Sequence, residues 1–235
     1  MSNTEQTILI TGASGHIGRS FVDHYLRGGF QVVAISNRGP MPTAANLTRI
    51  SADLTEVGAG VKVLEDVLKI HSKIDFIINN AARQDVTLLK DENAQAIHNI
   101  FQVNVSSVAE MYSKIASNKF GVKSVLNLTS IEAVNARPGH SIYGASKAAL
   151  EALTKSAAAE IAPIRSNALR LGLIERDGIR ESWPGGVAAW EKSAPLVRMG
   201  TFSDILQAAD FLLNATWITG SILTLDGGMS TVTNW

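Results

Sequence analysis

Short runs of β-branched and other apolar residues alternate with longer helix-patterned stretches along this chain, and few folds accept that alternation. Strand character appears at residues 7–10, 31–35, 48–51, 75–78, 124–128, 166–171 and 221–225. Helical patterns occupy 15–27, 61–70, 93–118 and 141–161, the third long enough to be broken within. Gly28-Gly29 closes the first of these. Pro163 stops the last, because proline lacks an N–H and collides with the preceding turn. Strand followed by helix, repeated, predicts parallel strands with helices on both faces. Right-handed crossovers then wind the sheet both ways from its centre. The expected fold is α/β: a doubly wound parallel sheet of about seven strands.

A single domain accommodates all 235 residues, and a hydrophobic content of 46% supplies a sizeable core. No linker, repeat or low-complexity tract interrupts the pattern. The irregular part is 175–200, with Pro184-Gly185-Gly186 and the tryptophans Trp183 and Trp190. Long loops in compact domains tend to be functional, so a lid is expected here, between the sixth strand and the last helix. The net charge of zero offers no basic face for nucleic acid. With no cysteine there is neither a disulfide framework nor a thiolate metal site, and the five histidines lack ligand spacing. No apolar run is long enough to span a bilayer, and the polar start, residues 1–6, does not read as a secretion signal. A soluble cytoplasmic protein is the expectation.

Two sequence features carry chemistry. Thr11-Gly12-Ala13-Ser14-Gly15-His16-Ile17-Gly18 follows a strand pattern and opens a helical one. Glycines there allow a tight turn and close backbone approach, and the helix N-terminus offers N–H groups to a pyrophosphate. A sheet so equipped is the Rossmann-like dinucleotide fold. The second feature is Tyr143-Gly144-Ala145-Ser146-Lys147, which sets a phenol and an ammonium on one helix face. A free phenol titrates near pH ~10, and a neighbouring cation favours its ionised form. Ser130, thirteen residues upstream on another element, has a hydroxyl able to bond a carbonyl oxygen. Together these residues suit proton transfer to or from a carbonyl or an alcohol beside a bound dinucleotide.

In their order along the chain, the phosphate turn, Asp53-Leu54, Asn79-Asn80-Ala81-Ala82, Asn104, Ser130, Tyr143-x-x-x-Lys147 and the stretch from Thr219-Gly220 to Gly227-Gly228 resemble the classical short-chain dehydrogenase/reductase family over nearly the whole chain. The resemblance implies a cofactor half over about 1–120 and a catalytic and substrate half over about 121–235. It makes Tyr143 the general acid in reduction and the base in oxidation, with Lys147 lowering the phenol's pKa and bonding the nicotinamide ribose. It has Ser130 orient the substrate oxygen and Asn104 hold a water that links Lys147 to solvent. Gly12, Ser14, Gly15, His16, Ile17 and Gly18 would take the pyrophosphate. Asp53 and Leu54 would meet the adenine, and Asn80, Ala81 and Ala82 would pass beneath its ribose or pack the sheet. Gly172 and Ile174 would contact the nicotinamide. The resemblance also implies a homotetramer or homodimer, formed through helices 93–118 and 141–161 and the last strand. The alanines of the second helix (Ala148, Ala149, Ala152 and Ala157 to Ala159) would permit close helix approach or pack on their own sheet, and the terminal Trp235 would bury at a subunit contact.

Cofactor type follows from the end of the second strand. NAD enzymes place an acidic residue there for the ribose 2′-hydroxyl. No Asp or Glu occurs between Asp23 and Asp53; Ser36-Asn37-Arg38 stands at that place. An arginine with small polar neighbours suits a 2′-phosphate, so NADP (NADPH) is expected. The substrate is then a small carbonyl or alcohol. Three features depart from the family pattern. His16 takes a position usually held by glycine, giving the Thr-Gly-x-x-Gly-x-x-Gly spacing of the longer sugar-nucleotide epimerases and dehydratases. After the sixth strand, Leu171-Gly172-Leu173-Ile174-Glu175-Arg176 lacks the usual proline. Arg176 replaces a threonine and reads either as an anion contact or as a surface charge paired with Glu175 or Asp177. A non-catalytic dinucleotide sensor or scaffold of the same fold is the other class of reading, and the complete Asn-Ser-Tyr-Lys set speaks against it.

Overall fold

The strands β1 (Thr7–Thr11), β2 (Gln31–Ser36), β3 (Leu47–Ser51), β4 (Phe76–Asn79), β5 (Ser124–Ser130), β6 (Arg165–Leu171) and β7 (Ile222–Leu225) lie side by side in the order β3-β2-β1-β4-β5-β6-β7. Every pairing is parallel. The structure is a computed structural model and describes residues 6–37, 39, 43–117 and 120–232. Arg38 and Trp235, both singled out in the sequence, lie outside the described residues, as does Asn118 at the end of the third helical pattern.

Helices α1 (His16–Arg27), α2 (Ala59–Leu68), α3 (Ala94–Phe101), α4 (Ser107–Ile115), α5 (Ser141–Glu160), α6 (Ile179–Ser182), α7 (Pro184–Ser193) and α8 (Phe202–Asn214) complete the chain. Alternation along each strand sorts its side chains into two layers. Ile8 and Ile10 of β1 pack with Phe21 and Val22 of α1 and Leu212 and Leu213 of α8. Leu9, between them, packs with Val63 and Leu64 of α2, Met111 of α4 and Leu150 of α5. Both faces of the sheet are therefore covered, and the strands read as near-continuous apolar runs for that reason. Among the described residues, no helix is long and apolar enough to cross a membrane.

The stretch expected to be irregular, 175–200, contains the two short helices α6 and α7. Their amphipathic signal is too short to read from sequence. Packing fixes them instead: Ile179, Val187 and Trp190 form a small third core with Ile131, Met199 and Met229. Trp190 is buried and donates its indole N–H to the Arg198 carbonyl at 3.1 Å. A bridge between Ile174 and Gly200 ties the two stems of this segment together. The third helical pattern is broken, as its length suggested, by a π turn over Gln102–Ser106 between α3 and α4. α8 starts with a capping box, in which Thr201 and Asp204 satisfy each other's backbone N–H groups.

The strand order reverses at β1, which lies between β2 and β4. Chain direction leaves a crevice at the carboxyl ends of the strands at such a point. Gly12, Asn80, Ser130 and Gly172 each follow directly on, or close, one of these strands.

Candidate active site

A cleft of about 1480 Å³ opens at that crevice. One end is built by the turn from β1 into α1. Gly18 packs against it so closely that a Cβ there would sit 2.1 Å from the Gly12 carbonyl oxygen. Only glycine lets the first turn of α1 lie this near the strand end. Asn80 fixes the same turn, its amide donating to the carbonyls of Thr11 at 2.9 Å and Gly12 at 3.1 Å. Thr11 Oγ1 accepts in return from the N–H groups of Asn80 and Ala81. Asn80 thus braces the turn, and Ala81 and Ala82 line the cleft beside it. No side chain caps α1 at Gly15, so the first N–H groups of the helix face the cleft without an internal acceptor. That combination of cradle and uncapped helix end fits the pyrophosphate of a dinucleotide. Ser14, His16 and Ile17 also line the cleft, with His16 exposed at its rim.

The other expected cofactor residues are more scattered. Ser36 closes β2 and is nearly buried, Asn37 is exposed beside it, and Leu54 packs in the core. None of these three lines the cleft wall. Asp53 Oδ1 accepts from the N–H and the hydroxyl of Thr55 at 2.9 and 2.7 Å, closing a turn. Gly172 and Ile174 lie on the cleft wall below the lid. Arg176 is exposed at the same wall, and Glu175 pairs with Arg180 instead of with Arg176.

Ser130, Tyr143 and Lys147 line the same cleft. Ser130 ends β5, while Tyr143 and Lys147 sit one turn apart on α5. Gly144 makes the approach possible, since a Cβ there would lie 2.6 Å from the Glu132 carbonyl oxygen. The Ser130 hydroxyl, which accepts from the Glu132 N–H at 3.2 Å, lies close enough to the Tyr143 phenol to favour its ionised form. The Lys147 ammonium lies 5.6 Å from the Tyr143 ring centre and donates to the Leu128 carbonyl at 2.8 Å. Asn104 sits in the π turn, behind this group. Its amide donates to the Arg83 carbonyl and the Ser146 hydroxyl, and its oxygen accepts from the Arg83 N–H at 2.7 Å. π turns of this kind recur at functional sites. Here the turn lets Asn104 tie the strand β4 exit to α5. Beneath, Asn127 bonds Tyr112, Thr154 and Asn79, fixing α5 against α4 and the sheet.

Electrostatics correct one expectation. Lys147 was expected to lower the Tyr143 pKa, yet the phenol's surroundings raise it well above its ordinary value. Burial is the main cause, the nearby Glu132 carboxylate adds to it, and the Ser130 hydroxyl opposes both. Burial also pulls the Lys147 ammonium down to about 8. The site thus holds a neutral phenol poised to donate and a lysine close to losing its charge.

Reading the sequence for motifs missed the segment between Ser130 and Tyr143. Glu132, Asn135, Arg137 and His140 all line the cleft, with Gln84 opposite. Polar residues interspersed along the short connection from Ser130 to Tyr143 were the available signal. Arg137 stacks on Trp183 at 4.5 Å and donates to Glu132 Oε1 at 3.2 Å.

Comparison with known proteins finds oxidoreductase relatives over nearly the whole chain. A family profile described as enoyl-(acyl carrier protein) reductase matches residues 12–230. The chain is 29% identical to a 3-oxoacyl-[acyl-carrier-protein] reductase of Chlamydia pneumoniae, over 95% of this chain and 96% of that one. It is 29% identical to an L-xylulose reductase of Caenorhabditis elegans, over 97% of this chain and 96% of that one. A solved structure of 4-hydroxyisoleucine dehydrogenase complexed with NADH superposes with a TM-score of 0.90 at 25% identity, covering 97% of this chain and all of the other.

Proposed function

Because the chain belongs to the short-chain dehydrogenase/reductase family of oxidoreductases, we propose that it interconverts a small carbonyl compound and its secondary alcohol with NADP(H), and that Tyr143 carries the proton. The observation behind this reading is that Ser130, Tyr143 and Lys147 face the same cleft as the Gly12 to Gly18 turn. A bound nicotinamide supplies or accepts the hydride. Ser130 and the Tyr143 phenol bond the substrate oxygen. In reduction the phenol gives its proton to that oxygen as charge develops there. Lys147, charged below its pKa of about 8, stabilises the phenolate left behind and bonds the ribose. Asn104 holds the Arg83 segment and α5 in place around them. Carbonyl reduction is also the reaction named for the acyl carrier protein and xylulose relatives.

NADP is favoured over NAD by the lack of any carboxylate between Asp23 and Asp53, together with Ser36, Asn37 and Arg38 at the end of β2. Fluorescence titration is expected to give a tighter Kd for NADPH than for NADH, and Arg38→Asp to flatten or reverse the difference. Equal affinities in the unmodified protein contradict the assignment.

The protein is also proposed to assemble as a homotetramer, or failing that a homodimer, with α5 in the contact. Along that helix Ala157 is buried against the chain's own core, whereas Ala152 and Ala159 are exposed and small enough for a second helix to approach closely. Light scattering at micromolar concentration is expected to give a multiple of the 25.1 kDa chain mass. A stable mass equal to one chain rules the assembly out.

A further inference from the structure

Two buried polar atoms on residues of the cleft wall have no hydrogen-bond partner: Glu132 Oε2 and Asn135 Nδ2. The Glu132 side chain is only 9% exposed, yet it lines the cleft, as does Asn135. Natural structures rarely leave such groups unpaired, and a carboxylate oxygen is among the costlier ones to strand. The other Glu132 oxygen is held by Arg137, whose guanidinium is in turn stacked on Trp183. This fixes the carboxylate and leaves Oε2 buried and unpaired on a residue of the cleft wall. His140 Nδ1 lies 3.1 Å from Oε2. It can pair with Oε2 only when that nitrogen carries a proton; with the Gln84 amide donating to Nδ1 at 3.0 Å, the nitrogen offers a lone pair instead.

One unpaired acceptor and one unpaired donor on the cleft that holds Tyr143 call for a ligand that can donate and accept. A hydroxyl does both; an alkyl chain does neither. Resting on the carbonyl–alcohol reading above, we propose that Glu132 and Asn135 form a specificity subsite that selects carbonyl substrates bearing a hydroxyl next to the reacting carbon. The substrate hydroxyl donates to Glu132 Oε2, and the same or the next hydroxyl oxygen accepts from Asn135 Nδ2. Hydroxyketones and small sugars are the class that fits. A plain alkyl or acyl chain would leave both atoms stranded, and sites built to bond a hydroxyl reject analogues that lack it.

The test uses matched pairs, hydroxyacetone against acetone and erythrulose against butanone, with kcat/KM measured under saturating NADPH. The unmodified enzyme is expected to favour the hydroxylated member of each pair by at least about tenfold, the scale of a hydrogen bond to a charged group. Glu132→Leu should erase most of that preference, read as the ratio within each pair so that any change in the Tyr143 phenol, shared by both members, cancels. Asn135→Leu, which removes the donor without touching the carboxylate, should erase part of it. Glu132→Gln should fall between, since it keeps the shape and one acceptor. Turnover of both members without preference overturns the subsite and leaves the oxidoreductase reading standing. A preference unchanged in both Glu132→Leu and Asn135→Leu overturns it equally. No turnover of any of the four compounds, with NADPH or NADH, overturns the oxidoreductase reading and the subsite together.

Discussion

Tyr143→Phe is expected to retain the fold and the dinucleotide affinity while turnover falls by about 10²–10⁴-fold, the usual contribution of a positioned general acid. The substitution removes one oxygen. The ring keeps its place on α5, and the turn from Gly12 to Gly18 is untouched. What disappears is the only phenolic proton on the cleft wall among the described residues. Burial and Glu132 hold that phenol protonated through the neutral range, so it is a donor there and reduction is the direction it serves most directly. Steady-state rates with a reducible carbonyl, together with NADPH titration of the variant, separate chemistry from binding. A variant that keeps most of its activity removes Tyr143 from the mechanism.

Lys147→Met is expected to cost at least about 100-fold in turnover, because the phenolate left after proton donation then has no cation close by. It also leaves the Leu128 carbonyl without its donor. The lysine gives the unmodified enzyme a distinctive pH profile. Its folded pKa of about 8 lies below the ordinary 10.5, so it is charged below pH 8 and neutral above. The kcat/KM for reduction should hold through neutral pH and fall as pH rises through about 8. That falling limb should be absent in Lys147→Met. Stability has the opposite sign. A depressed lysine makes its burial most costly at low and neutral pH, and the cost is relieved as pH rises from about 8 to 10.5. Unfolding free energies of the unmodified protein relative to Lys147→Met should therefore rise across that interval. A reduction profile that is flat through pH 8 contradicts the role given to the ammonium.

Much of this molecule is legible from residue order. Strands buried on both faces read as apolar runs, so all seven were visible, and their parallel arrangement follows from the helices between them. The cleft brings together Gly12, Ser130, Tyr143 and Lys147, which the sequence separates widely, because each lies at or beyond the carboxyl end of a strand or on the helix packed there. Other features depend on tertiary contacts that carry no periodic signal. α6 and α7 are too short to announce themselves and are held by Trp190 and Ile179 packing onto the body. The π turn at Asn104 is defined by what Asn104 reaches, the Arg83 backbone and Ser146, not by its neighbours in sequence. The rise in the Tyr143 pKa is likewise a burial effect: the spacing to Lys147 reveals a cation, but not how dry the pocket is or where Glu132 sits. Glu132 was overlooked because a single carboxylate in a connecting segment usually faces water, whereas here Gly144 draws α5 down onto it.

The most direct measurement is NADPH absorbance on mixing the protein with a panel of small ketones and aldehydes, with the alcohol product quantified in parallel. Loss of NADPH matched one-to-one by alcohol formation, and abolished in Tyr143→Phe, is the expected result. Tight dinucleotide binding with no turnover of any carbonyl, in either direction and with either nicotinamide cofactor, would contradict it and identify the chain as a binding protein built on a catalytic fold.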